Sequence, residues 1–266
     1  EFDISTRSFI EDGFYVAEAK STVSWINENK IFVATNFGPG SMTSSGYPAS
    51  MRVWTRGEDL AKSPEIARVP TDNVGLWGWT TFTSEQNYSL ISKSKDFWTH
   101  EILLLDENMG TTKIELPIDA DLKGVWKDQA FALLRSDWMG SSKGSLIALD
   151  LASNHKTDVF IPDAKSAILS VNFSSSHLLL TIQEDVVDKV LRGILKDNIW
   201  VLENLDLPQG GTISIYGADP LNDNFFYTYN DLITPTTLGY FEDAMAGPKV
   251  IRQSPARYDS ENLEVN

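Results

Sequence analysis

The run Gly124-Val125-Trp126-Lys127-Asp128-Gln129-Ala130-Phe131-Ala132-Leu133-Leu134 sets two β-type segments on either side of a polar turn, and the second is apolar almost throughout. Residues 144–151 and 156–162 continue the pattern. Four short β-rich runs separated by polar or glycine-bearing turns therefore fill about forty residues. An antiparallel sheet with one wet face alternates apolar and polar positions. A run as continuous as Phe131-Ala132-Leu133-Leu134 calls for a sheet covered on both faces.

The same plan extends outward from this unit. Upstream lie Thr22-Val23-Ser24-Trp25 with 30–36, 51–56 and 65–70, then 75–82, 88–93, 100–106 and 112–117. Downstream lie 167–173, 177–183, 190–195 and 198–203, then 211–217, 224–229, 236–241 and 248–253. Four-stranded units recurring every 40 to 48 residues or so predict an all-β chain, a β-propeller of four-stranded antiparallel blades. The expected organisation is one propeller domain over 1–266, with about five blades near 15–70, 73–119, 122–163, 166–209 and 210–255. One stretch is ambiguous. Val186, Val187, Val190, Leu191 and Ile194 have a spacing that a short amphipathic helix uses as readily as a strand with an irregular loop.

A chain of 266 residues with 42% hydrophobic and 11% aromatic content can bury a substantial core. Its 22 basic and 37 acidic residues, a formal charge of −15, argue against nucleic acid and anionic membrane surfaces as partners. Cationic peptides would be attracted, although solubility accounts for the acidity equally well. Zero cysteines remove disulfides, thiolate catalysis and cysteine-ligated zinc. No apolar run reaches the roughly 18 residues of a membrane span, so the expectation is a soluble chain. The start at Glu1-Phe2-Asp3-Ile4, without Met, reads as a point where upstream sequence has been removed. Compartment stays open between bacterial cytoplasm and periplasm.

Several motifs invite chemistry. Gly140-Ser141-Ser142-Lys143-Gly144 satisfies G-x-S-x-G, but a nucleophile elbow joins a strand to a helix, and here both flanks are β-type, which predicts a hairpin turn. His100, His155 and His177 lack the spacing of a helical metal pair. Phe37-Gly38-Pro39-Gly40-Ser41 lacks the lysine and the following helix of a phosphate cradle. Asp219-Pro220-Leu221-Asn222-Asp223-Asn224 lacks the spaced ligands of a calcium loop. Glu184, Asp185, Asp188, Asp121, Asp137 and Asp231 are the carboxylates that a five-bladed glycosidase would draw on. Trp25, Trp79, Trp126 and Trp200 sit within β-type runs and are expected to pack. No catalytic, cofactor-binding or metal-binding residue is assigned.

Longer segments carry a family resemblance. Glu18-Ala19-Lys20-Ser21-Thr22-Val23-Ser24-Trp25, then Phe37-Gly38-Pro39-Gly40-Ser41-Met42-Thr43-Ser44-Ser45-Gly46-Tyr47-Pro48, then Val53-Trp54-Thr55-Arg56-Gly57 form one set. Leu134-Arg135-Ser136-Asp137-Trp138, Phe226-Tyr227-Thr228-Tyr229, Leu232-Ile233-Thr234-Pro235-Thr236-Thr237-Leu238 and Tyr258-Asp259-Ser260-Glu261-Asn262-Leu263-Glu264-Val265 form another. In this order they resemble the propeller of bacterial prolyl oligopeptidase family (S9) serine peptidases.

The resemblance implies seven blades beside an α/β-hydrolase domain that holds the whole Ser, Asp and His triad, so none of those roles transfers to this chain. It also implies that the chain is truncated, with residues 1–14 as the outer strand of a preceding blade. Exposed end blades would then close into a smaller ring or be buried in a partner, self-association included. The implied function is a non-catalytic, substrate-gating propeller for peptide substrates, inactive by itself and needing no cofactor, whose acidic channel favours basic peptides. A propeller interaction platform and a five-bladed glycoside hydrolase stand as alternatives.

Overall fold

The computed structural model describes residues 1–197, 199–242, 247–259 and 263. It forms two compact units, Glu1–Thr81 with Asn87–Asp119, and Phe82–Gln86 with Ala120–Asn266. The first holds a small hairpin, β1 (Phe2–Asp3) and β2 (Ser8–Phe9), followed by two four-stranded sheets. One comprises β3 (Thr22–Asn27), β4 (Lys30–Ala34), β5 (Ser50–Thr55) and β6 (Glu65–Arg68), and the other β7 (Gly75–Thr81), β8 (Tyr88–Ser94), β9 (His100–Leu105) and β10 (Thr111–Lys113). The second unit holds three sheets: β11 (Asp121–Trp126), β12 (Gln129–Leu133), β13 (Leu146–Asp150) and β14 (Lys156–Phe160); β15 (Ser166–Phe173), β16 (Leu178–Glu184), β17 (Val187–Lys196) and β18 (Ile199–Asn204); and β19 (Thr212–Tyr216), β20 (Phe225–Asn230), β21 (Thr237–Phe241) and β22 (Lys249–Gln253). Every sheet is an antiparallel meander in chain order.

Among the described residues the hairpin is a sixth, two-stranded sheet beside the five four-stranded ones, where the family resemblance implies an outer strand over 1–14. Asp3 is the reason. Its carboxylate accepts the backbone N–H groups of Ser5 and Thr6 at 2.7 and 3.3 Å, which turns the chain back after two residues of strand. Residues 198, 260–262 and 264–265, which the sequence reading included in a strand and in the tail motif, lie outside the described residues.

Burial explains the apolar second strands. In β4, Phe32 and Ala34 join Met51 and Val53 against Leu76, Ile91 and Leu105 of the next sheet, while Ile31 and Val33 face the other way. Phe14 covers that second face, edge-on to Trp25 and Trp54 at 5.6 and 5.0 Å. A salt bridge fixes this strap: Arg56 donates to both oxygens of Glu1 at 2.7 and 3.0 Å, and Glu1 accepts the N–H of Phe14.

In the second unit, Trp126, Phe131, Phe173 and Trp200 interleave between the first two sheets, with Phe131 5.0 Å from Phe173 and 5.4 Å from Trp200. Leu179 and Val190, on the opposite face, pack against Ile213, Phe225 and Tyr227 of the last sheet. Tyr227 lies across from Gly239 in the ladder, and its ring occupies the space over that glycine.

Residues 183–195 resolve as a hairpin. Burial alternates along β17, and a two-residue turn, Asp185 and Val186 with φ of +48° and +66°, brings Glu184 opposite Val187. This primed geometry matches the strand twist and normally takes Asn-Gly. A β-branched residue there is strained.

Two stability changes follow. A methyl at Gly239 would sit 2.1 Å from the Tyr227 ring, so Gly239→Ala is expected to lower stability by about 1–3 kcal/mol. Val186→Gly, which relieves the positive φ at an exposed tip, is expected to raise it by up to about 1 kcal/mol. Urea midpoints of the two variants against the parent chain check both, and a stabilised Gly239→Ala or a destabilised Val186→Gly would contradict the packing described.

Candidate functional site

Serine, histidine and carboxylate do meet in this chain, although the sequence offers His177 only as a lone histidine and Asp223 only as part of an unfit calcium loop. Ser174 and His177 in the β15–β16 loop approach Asp223 in the β19–β20 loop. The wiring is not that of a nucleophile. Ser174 Oγ donates a hydrogen bond directly to Asp223 at 2.6 Å and accepts the backbone N–H of His177 at 3.1 Å, while His177 Nδ1 lies 3.6 Å from the carboxylate. In a catalytic triad the imidazole stands between serine and carboxylate. Ser174 is also buried. Burial pushes the Asp223 carboxyl up, but the hydrogen bonds from Ser174 and Ser176 outweigh it and hold the group below its ordinary 3.8. The cluster ties two loops together.

The G-x-S-x-G loop behaves similarly. Gly140 and Gly144 take φ of +84° and +88° in the connection between β12 and β13, and no helix follows. Ser142, the serine of the motif, lies 3.4 Å from Ser145 Oγ. Its neighbour Ser141 is buried and donates to Asp158, which also receives Lys156 at 2.8 Å, and Lys156 donates in turn to Ser141. The lysine is thereby spent on the carboxylate as well as on the serine. Burial raises the Asp158 carboxyl, and the bonds from Lys156 and Ser141 lower it by more.

The remaining candidates serve turns and ion pairs. Ser41 Oγ donates to Gly38 O at 2.6 Å and accepts Phe37 N at 2.8 Å, which closes the glycine loop on itself. Asp219 accepts Leu221 N and Asn222 accepts Asn224 N, both at 2.9 Å, consuming the oxygens that a cation would need. His100 begins β9, and His155 is exposed in the turn before β14. Among the described residues no group of three His, Asp or Glu is placed to hold a metal ion.

The carboxylates weighed for glycoside hydrolysis are likewise occupied. Glu184 accepts Lys189, Asp185 pairs with Lys165 at 3.2 Å, and buried Asp188 accepts Ile213 N at 3.1 Å. Asp121 pairs with Lys123 at 2.8 Å, and Asp137 accepts Lys143 N at 2.8 Å. Asp231 accepts Ile233 N at 2.8 Å, Thr234 Oγ1 at 3.0 Å and Tyr229 Oη at 2.7 Å. Burial and the Asp231 hydrogen bond push the Tyr229 hydroxyl far up. For Asp231 itself, burial raises the carboxyl and these donors bring it down. A glycosidase needs one carboxyl raised to act as acid. Every carboxyl displaced from its ordinary value among the described residues is displaced downward.

Repeated four-stranded meanders without a wired nucleophile are what a comparison with protein families has to explain. The family model described as "Prolyl oligopeptidase, N-terminal beta-propeller domain" matches residues 1–253. The chain belongs to this family. An uncharacterized peptidase of Sinorhizobium fredii is 28% identical over 281 aligned positions, covering 99% of this chain and 39% of the relative. An uncharacterized peptidase of Rickettsia prowazekii is 30% identical, covering 98% and 40%. Among solved structures, a post-proline cleaving enzyme from Rickettsia typhi superposes with a TM-score of 0.84 at 27% identity, over 98% of this chain and 41% of that one. Oligopeptidase B from Trypanosoma brucei, at 16% identity and a TM-score of 0.65 over 93% of this chain and 36% of that one, shares the fold. The chain thus spans about two fifths of the length of its relatives, and its class is the all-β propeller of antiparallel four-stranded blades.

Signals for the Asp231 turn were present in the sequence, since an Asp three residues before a Thr is a turn signature. Nothing local pairs Ser174 with Asp223, which lie 49 residues apart.

The loop-tying role of Asp223 has a pH signature. A folded-state value below 3.8 means the stabilisation is fully present above about pH 4 and is lost as pH falls through the folded value. Asp223→Ala is expected to cost about 2 kcal/mol at pH 7. The gap to the parent chain should narrow by pH 3, and a pH-independent gap in urea melts would remove the charged hydrogen bonds as its cause.

Proposed function

We propose that this chain is the substrate-gating propeller of a serine-type oligopeptidase whose α/β-hydrolase domain lies outside residues 1–266. One observation carries the reading: the family match runs through residue 253 while Ser141, Ser174 and His177, the groups nearest to carboxylates, are held in structural contacts. The propeller is inactive alone and limits access of peptides to a catalytic centre on the other part of the protein. Its role needs shape and charge but no nucleophile.

The substrates proposed are short or unfolded peptides, with cleavage after proline suggested by the Rickettsia typhi relative. The formal charge of −15 supports a preference for basic peptides, by attraction that salt screens. The interaction-platform alternative keeps the fold and drops the peptidase.

The test is a peptidase assay on the longer protein recovered by reading the coding sequence on both sides of residues 1–266. Expected are hydrolysis of short proline-containing peptides by the longer protein, none by residues 1–266, and a kcat/KM advantage for basic over acidic peptides that shrinks between low and high salt. Sequence on either side that encodes no hydrolase domain would sink the peptidase reading and leave the platform. An advantage unchanged by salt would remove the electrostatic preference alone. Loosening the propeller with Gly239→Ala is expected to raise kcat/KM on long peptides relative to short ones, whereas a parallel change in both would refute gating.

A further inference from the structure

Asp12 and Gly13 form the one Asp-Gly step of the chain, which has no Asn-Gly. The strap over β4 forces the glycine, because a Cβ at residue 13 would stand 2.9 Å from Glu1 Cβ and 3.0 Å from Ile10 Cβ. The aspartate before it differs from the other turn aspartates. Asp3, Asp96, Asp106, Asp163 and Asp231 each hold loop N–H groups with their carboxylates. Asp12 is exposed, and its carboxylate has no hydrogen-bond or ion-pair partner among the described residues, so the side chain is free to turn back onto the backbone. Gly13 carries no side chain to shield its own N–H from that approach.

We propose that Asp12 is a modification site, where the aspartate rearranges to isoaspartate and thereby loosens the strap. Gly13 N attacks Cγ of the protonated Asp12 carboxyl. The N–Cγ bond forms, the Cγ–OH bond breaks, and the hydroxyl leaves with the amide hydrogen as water, closing a succinimide. Water then adds to one of the two ring carbonyls. Cleavage at Cγ restores aspartate, whereas cleavage at the former backbone carbonyl leaves the chain running through the side chain, as isoaspartate. One contact governs the rate: Gly13 N donates to Ile10 O at 3.1 Å, so the attack draws on the strap when this turn has opened. Closure depends on Arg56, which donates to both oxygens of Glu1, and on Phe14, which is edge-on to Trp25 and Trp54. Isoaspartate inserts an additional backbone carbon just before Gly13 and Phe14. The Phe14 ring then cannot keep its seat over Ile31 and Val33 while the Ile10 turn and the Glu1 contact both persist.

The experiment incubates residues 1–266 in warm neutral buffer made with H₂¹⁸O, digests the chain with trypsin in ordinary water, and reads the peptide 8–20. That peptide runs from the cut after Arg7 to the cut after Lys20 and holds Asp12 as its sole aspartate. Each passage through the succinimide leaves one ¹⁸O in it, and chromatography separates the isoaspartyl form from the aspartyl form. Expected are ¹⁸O and isoaspartate accumulating together in peptide 8–20 ahead of every other aspartyl peptide. Asp12→Glu keeps the charge on an exposed side chain and should abolish the signal, because the larger imide ring closes far more slowly. Arg56→Gln should speed the reaction by about tenfold, toward the rate of the free peptide 8–20, as loss of a charge-assisted hydrogen bond favours local opening. Should Arg56→Gln fail to fold, Glu1→Gln breaks the same ion pair from the other side and should act alike. As product accumulates, the indole ¹H–¹⁵N signals of Trp25 and Trp54 should shift in the parent chain and stay fixed in Asp12→Glu. No ¹⁸O in peptide 8–20, equal incorporation in other aspartyl peptides, a rate unchanged when the ion pair is broken, or indole signals unmoved by the product would overturn the proposal. None of these readouts depends on whether the longer protein is a peptidase.

Discussion

A four-stranded sheet with apolar residues on both faces cannot remain in water, and that constraint organises each unit. β4, β12 and β16 are buried on both sides, so each sheet must be sandwiched. Burial of such side chains is worth about 1.5–3 kcal/mol each and supplies the driving force for stacking one meander on the next. Where covering side chains come from an adjacent sheet, as at Phe131, Phe173 and Trp200, aromatic rings interleave. Where they come from a strap, as with Phe14 over Ile31 and Val33, the Glu1–Arg56 pair holds the strap down.

Polar chemistry then follows the sheets. With cores made of strands, the connections carry the serines, aspartates and histidines, and most of these satisfy backbone groups that no ladder reaches. Asp3, Asp96, Asp106, Asp163 and Asp231 each accept loop N–H groups within four residues. Over longer separations Asp223 accepts Ser174 Oγ and Ser176 N, and Asp158 accepts Ser141 Oγ. The depressed carboxyl values at Asp3, Asp96, Asp163, Asp231, Asp223 and Asp158 are the electrostatic trace of that work. They mark loops held in place rather than acids poised to react.

Arg52 departs from this economy. Its carbonyl contacts and its stack on Phe37 orient the guanidinium, where most other arginines face a carboxylate or solvent. Residues 51–56 read simply as a strand in the sequence, since alternation predicts which face Arg52 takes but not what lies across from it. The hairpin at Asp185 and Val186 shows the reverse limit. Its valines suited helix and strand alike, and pairing with β16 and β18 decided between them.

By itself the sequence determined the four-run period, the all-β class and the doubly buried second strands, because strand formation and burial leave local, periodic traces in residue type. It also showed that G-x-S-x-G lacked a helix to sit on, since the flanking β-type runs are local too. Only the tertiary structure decided that residues 1–14 form a hairpin and strap, that Ser174, His177 and Asp223 meet in the wrong order for catalysis, and that Arg52 stacks on Phe37 and donates to the Leu60 and Ala61 carbonyls. Those facts depend on contacts between residues that are not neighbours in the chain, and such distances are set by how sheets stack, which no local pattern encodes.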